Sequence, residues 1–83
     1  MHYVYVIKSV NFDFTYIGQT GDLKVRFPQH NASKEISTKA YAPFKLVYYE
    51  AYADKKDALI RENKLKQFGS SWGHLRKRIS NSL

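Results

Sequence analysis

The chain contains no cysteine. That excludes disulfides and thiolate zinc sites, and it fits a reducing, cytoplasmic setting. No stretch is apolar for long enough to span a membrane. The tyrosine-rich run from Tyr3 to Ile7 is far shorter than the ~20 residues a span needs, and it does not resemble a signal peptide. Internal repeats and low-complexity stretches are absent. Acid is scarce: seven Asp and Glu stand against fourteen Lys and Arg, leaving +7. The imbalance is concentrated. From Arg61 onward the six cations Arg61, Lys64, Lys66, Arg76, Lys77 and Arg78 face only Glu62, which makes +5.

With 83 residues, 43% of them hydrophobic, the chain is expected to form a single domain over residues 1–83 with one modest core. A basic face beside seven Tyr, five Phe and one Trp points to a polyanion partner, most simply nucleic acid, with Lys64, Lys66, Arg76, Lys77 and Arg78 as the binding cations. The alternative is a solvated basic surface.

Residues 3–8, aromatic and β-branched, read as a strand covered on both faces. A turn through Asn11 and Asp13 leads to a second strand, Thr15 to Gln19, in an antiparallel hairpin. Gly18 marks close approach of another backbone. Asp22 caps a helix carrying Leu23, Phe27 and His30, which Pro28 should kink or shorten. Asn31 to Pro43 reads as a surface loop, and Lys45 to Ala51 as the third strand. Asp54 opens the next helix in a weak capping box with Asp57. Gly69 closes that helix, and Ser70 or Ser71 caps a last helix with Trp72, Leu75, Ile79 and Leu83 in line. The expected fold is a small layered α/β domain: a three-stranded antiparallel sheet flanked by helices, in the order ββαβαα.

Glu62 stands out. Over residues 55–68 helical spacing puts Ala58, Leu59, Leu65 and Phe68 on one stripe, and Glu62 falls inside it. A carboxylate facing a core costs several kcal/mol, roughly, unless it is paired. A metal ion, an Arg or a hydroxyl would serve. The alternative is a helix rotated so that Glu62 edges into solvent or pairs with a core Arg.

Tyr3-Val4-Tyr5 in the first strand and Tyr16-Ile17-Gly18 in the second are followed by Arg26 and His30 one helical turn apart, then by Glu62 on a later helix. In this order the chain resembles the GIY-YIG nuclease family, and its small stand-alone bacterial members in particular. Tyr3 replaces the first glycine, and Gln19 stands where some repair-type relatives carry lysine. The resemblance implies a metal-dependent endonuclease that hydrolyses DNA phosphodiester bonds. Glu62 would bind one divalent cation, Mg²⁺ or Mn²⁺. Tyr5 would activate or position the attacking water, with Tyr16 supporting it. Arg26 would contact the scissile phosphate, and His30 would lie close by. No extra recognition domain accompanies the motifs. Selectivity for DNA shape, a repair or recombination role, and a homodimer or a specificity-giving protein partner are the corresponding expectations. The alternative is a nucleic-acid-binding module with weak or no catalysis. Taken singly, Tyr5 and Tyr16 also suit core aromatics, Arg26 a solvated position and His30 a helix-end cap.

Overall fold

The computed structural model describes residues 1–32, 36–67 and 69–83. Its elements are β1 (His2–Ser9), β2 (Thr15–Thr20), α1 (Leu23–Asn31), a 3-10 turn at Lys39–Tyr41, β3 (Phe44–Tyr52), α2 (Lys55–Gln67) and α3 (Gly69–Arg78). The expected order and sheet are therefore found. Each strand extends a residue or so beyond its sequence bounds.

The sheet order is β2-β1-β3, antiparallel throughout. β1 is the central strand, so it is the one that both layers must cover. Its run Val4-Tyr5-Val6-Ile7 is accordingly buried. Side chains alternate between faces. Val4 and Val6 pack with Ala58, Leu65, Leu75 and Ile79 beneath α2 and α3. Tyr5 and Ile7 pack with Phe44, and with Leu23 and Phe27 of α1, on the opposite face. The result is a three-layer α/β/α sandwich. A register shift between Val6 and Ile7 changes the pairing from Tyr48 to Leu46, leaving Val47 as the extra residue of a bulge.

α1 starts as expected: the Asp22 carboxylate accepts from the Val25 N–H. It nevertheless runs through Pro28 to Asn31, making a short helix of nine residues. Asn31 then fastens the far end of the loop. Its Oδ1 accepts from the Phe44 N–H at 2.6 Å and its Nδ2 donates to the Phe44 carbonyl at 3.1 Å. Within the expected surface loop 31–43, whose residues 33–35 lie outside the described residues, not every described residue is at the surface. Thr38 is fully buried, and Tyr41 stacks on Phe14 with ring centres 4.0 Å apart.

α2 is described to Gln67 and α3 from Gly69, so the junction expected at Gly69 adjoins Phe68, which lies outside the described residues. One expectation about α2 is corrected: its stripe is phased differently. Ala58 and Leu65 are buried, but Leu59 is 42% exposed, and Phe68 lies outside the described residues. The inward face is Ala58, Arg61, Glu62 and Leu65, spaced i, i+3, i+4, i+7, with Arg61 and Glu62 half-buried at its margins. On α3 and the turn that follows it the expected apolar residues face the core, with Leu75 and Ile79 buried and Trp72 and Leu83 packed against it. Among the described residues no helix is long and apolar enough to cross a membrane.

Candidate active site

The centre of the site is a buried imidazole between two hydroxyls. His30 is fully buried near the end of α1. Its Nε2 lies 2.7 Å from the Tyr5 hydroxyl and its Nδ1 2.9 Å from Thr38 Oγ1. Both ring nitrogens are therefore satisfied, as burial demands. With the proton on Nδ1, His30 donates to Thr38 and Nε2 accepts from the phenol. His30 is thus a core hydrogen-bonding residue rather than a helix-end cap.

Tyr5 comes from the central strand and is itself 1% exposed. Directly opposite it in the β1–β2 ladder is Gly18. A Cβ at position 18 would fall 2.4 Å from the Tyr5 hydroxyl oxygen and 2.5 Å from Cζ. What approaches Gly18 is therefore the phenol of Tyr5, not a second backbone, and the missing side chain makes room for it. Tyr16 sits two residues before Gly18 on the same face and completes an aromatic cluster. Its ring centre is 5.1 Å from His30 and 6.4 Å from Tyr5.

Arg26 lies one turn before His30 on the unbroken α1, half-buried. Its Nη1 donates to Gln29 Oε1 at 3.1 Å. Pro28 therefore does not prevent Arg26 and His30 from sharing one helix.

Glu62 reaches this cluster through Lys66. The Lys66 ammonium lies 3.3 Å from Glu62 Oε2, an i,i+4 pair on α2. It also stands 5.5 Å from the centre of the Tyr16 ring, within cation–π range. The Glu62 side chain is 21% exposed. It is neither sealed in the core nor fully solvated, and its partner is a lysine one turn away. Lys66, expected only among surface cations, thus joins α2 to the β2 edge. Lys64, Arg76, Lys77 and Arg78 are exposed. A cavity of about 440 Å³ opens at the start of α1 between Tyr3, Leu23, Phe27 and Tyr49, and none of the five candidate side chains lines it. The hydrogen-bond geometry marks the site better than the concavity does.

A second polar cluster was not anticipated. Glu50 on β3 accepts from Tyr48 at 2.5 Å, from Tyr52, and from Arg61 Nε at 2.8 Å. Burial opposes the Glu50 charge, but these donors outweigh it and hold the carboxyl below the ordinary carboxylate value. The same contacts act in reverse on the phenols. Burial first, then the bond to Glu50, raises Tyr48, and pushes Tyr52 up to about 12. Burial weakens the Arg61 charge, yet the bond to Glu50 leaves its value raised. A signal for this cluster existed. Tyr48, Glu50 and Tyr52 alternate on one strand face, and Arg61 shares the inward phase of α2 with Ala58 and Leu65. For Thr38, in an irregular connection, no pattern was available.

The family model for the GIY-YIG catalytic domain matches residues 1–76. The chain belongs to the GIY-YIG family. That family is one of nucleases. Among its relatives, the UPF0213 protein of Staphylococcus haemolyticus is 38% identical over 68 residues, covering 81% of this chain and 82% of the relative. A UPF0213 protein of Lacticaseibacillus paracasei is 42% identical over 62 residues, covering 74% and 68%. One from Haloquadratum walsbyi is 32% identical over 68 residues, covering 81% and 75%. No solved structure matches the chain.

Proposed function

We propose that this GIY-YIG protein is a divalent-cation-dependent endonuclease acting on DNA. The observation that carries this reading is the chain of contacts from Tyr5 through His30 to Thr38. It sets a phenol of the central strand 2.7 Å from a buried imidazole nitrogen, which in the Nδ1-protonated tautomer accepts the phenol's proton. Tyr5 would act on an attacking water by relaying a proton. The Nδ1-protonated tautomer of His30 leaves Nε2 as the acceptor in that relay, and Thr38 orients the ring from the other side. Tyr16 packs against both groups. Arg26 supplies a planar cation suited to a phosphate, whose equatorial oxygens gain charge in the transition state.

The residues fit a hard cation that keeps most of its water. Glu62 offers one part-exposed carboxylate. No group of three His, Cys, Asp or Glu that could hold a metal is found among the described residues. Mg²⁺ suits such a site because it takes one or two carboxylates and completes its shell with water and phosphate oxygens. Glu62 would hold it, and when bound it would neutralise charge developing on the leaving oxygen. Lys66 neutralises Glu62 otherwise.

The proposal extends to recognition of DNA shape, to a DNA repair or recombination role, and to a homodimer or a protein partner that supplies specificity. One observation favours the alternative, a binding module without catalysis: Tyr5 is almost inaccessible and Glu62 is already paired with Lys66. The test is cleavage of supercoiled and branched DNA by the parent and by Glu62→Ala, each with Mg²⁺, Mn²⁺ or EDTA. The nuclease reading expects metal-dependent nicking that falls at least ~100-fold in the variant. Equal cleavage by both proteins would refute the role of Glu62. Salt-sensitive binding with no cleavage by the parent would establish the module instead.

A further inference from the structure

We propose that the cleft between α2 and α3 is a second phosphate site, holding a backbone phosphodiester of the nucleic acid away from the bond to be cut. The cleft has a volume of about 250 Å³ and is lined by Arg61, Ser71, His74, Leu75 and Arg78. Ser71, His74, Leu75 and Arg78 are spaced i, i+3, i+4, i+7, so one face of α3 presents them all toward α2. Every polar group in the lining can donate a hydrogen bond: two guanidinium groups, a hydroxyl and an imidazole. None is a carboxylate.

Arg61 is held in place from behind. Its Nε donates to Glu50 Oε1 at 2.8 Å and one terminal nitrogen lies 3.5 Å from Oε2. Neither bond uses Nη1. Glu50 is fixed in turn by Tyr48 and Tyr52. The single negative charge of Glu50 offsets one guanidinium, and Arg78 remains exposed at the mouth. A guanidinium held in place, with a second arginine beside it, suits phosphate better than a flexible surface lysine would.

The location separates this cleft from the candidate active site. Arg61 is anchored over β3, whereas Tyr16 and the Lys66 contact mark the β2 edge. The two lie on opposite sides of the central strand β1, although Arg61 adjoins Glu62 in sequence. A phosphate in the cleft is therefore a distinct contact on the same strand or on a neighbouring arm. The proposal rests on the nucleic-acid reading of the domain but not on its catalytic part.

The test compares the parent, His74→Ala/Arg78→Ala and the control Lys56→Ala, whose exposed side chain lies at the start of α2, outside the cleft. Anisotropy with a fluorescent single-stranded oligonucleotide and with a flapped duplex is measured across a salt series. Circular dichroism of each variant checks that it is folded. The cleft variant is expected to bind about tenfold more weakly, and the slope of log K against log salt should shrink by about 0.7 to 0.9. Lys56→Ala should change neither by as much. Equal affinity and slope in parent and cleft variant would overturn the proposal. So would His74 ring resonances that respond as strongly to inorganic phosphate or a nucleoside monophosphate as to the oligonucleotide, since the cleft would then serve a small free phosphate. If the parent binds through the cleft but cuts nothing, the nuclease reading fails and the cleft stands.

Discussion

Replacing Gly18 by alanine places a methyl carbon 2.4 Å from the Tyr5 hydroxyl oxygen and 2.5 Å from Cζ. Both distances are far inside ordinary contact, so something must move. The backbone at Gly18 does not have a positive φ, so the strain is steric and falls on the Tyr5 ring. That ring is not free to swing: it is almost fully buried and packs with Ile7 and Phe44. Overpacking of this kind costs about 1–3 kcal/mol. Pulling the phenol off His30 Nε2 removes a buried hydrogen bond worth about 1 kcal/mol more. The total, ~2–4 kcal/mol, corresponds to a drop in Tm of at least ~8 °C for a domain of this size. Thermal denaturation of Gly18→Ala beside Gly21→Ala, where nothing lies within 4 Å of the added carbon, is the direct assay. Gly21→Ala should melt within a few degrees of the parent. If the two variants melt together, the close approach of Tyr5 to Gly18 is wrong. On the proposed nuclease reading the same shift should abolish cleavage, because it displaces the phenol from His30 Nε2.

Thr38→Val keeps the shape of the side chain but removes the hydroxyl beside His30 Nδ1, leaving a buried nitrogen without that partner. A loss of ~1–3 kcal/mol is expected by chemical denaturation, with Thr38→Ser retaining most of the stability; equal loss in both variants would refute the hydrogen-bonding role. The Glu50 cluster sets both ends of the pH–stability profile. Glu50 titrates lower in the fold than its ordinary 4.5, so its contribution is present above that pH and fades as pH falls through the lowered value. Tyr52 is raised from 10.0 to about 12, so its contribution is whole below pH 10 and is lost on the way to pH 12. Melting curves from pH 3 to 12 should show both limbs, and Glu50→Gln should flatten each; an unchanged profile would show that the cluster is not linked to folding.

Much of the architecture was legible before any coordinates. Val4 to Ile7 are all β-formers, and only a strand covered on both faces accommodates four such residues in a row. Asp22, Asp54 and the Trp72–Leu75–Ile79 spacing announced helices through local chemistry. The motif residues Tyr5, Tyr16, Arg26, His30 and Glu62 could be named from order and spacing. Their roles remain proposals that rest on family membership and on the contacts described above. The phase of α2 departs from the apolar pattern because Leu59 has the right chemistry for a core but the wrong angle. Arg61 takes the inward position instead because Glu50 waits for it on β3, eleven residues away in sequence.

The sequence alone determined the element order, a first strand covered on both faces and the basic character of the C-terminal third. These depend on neighbours a few residues apart, where backbone propensity, capping and side-chain period act directly. Only the tertiary structure decided that His30 lies between Tyr5 and Thr38, that Gly18 yields space to a phenol, and that Lys66 joins Glu62 to Tyr16. The Tyr5–His30 bond spans 25 residues. No local period encodes such a pairing; it arises when the layers close and each buried polar atom must find a partner or forfeit its hydration.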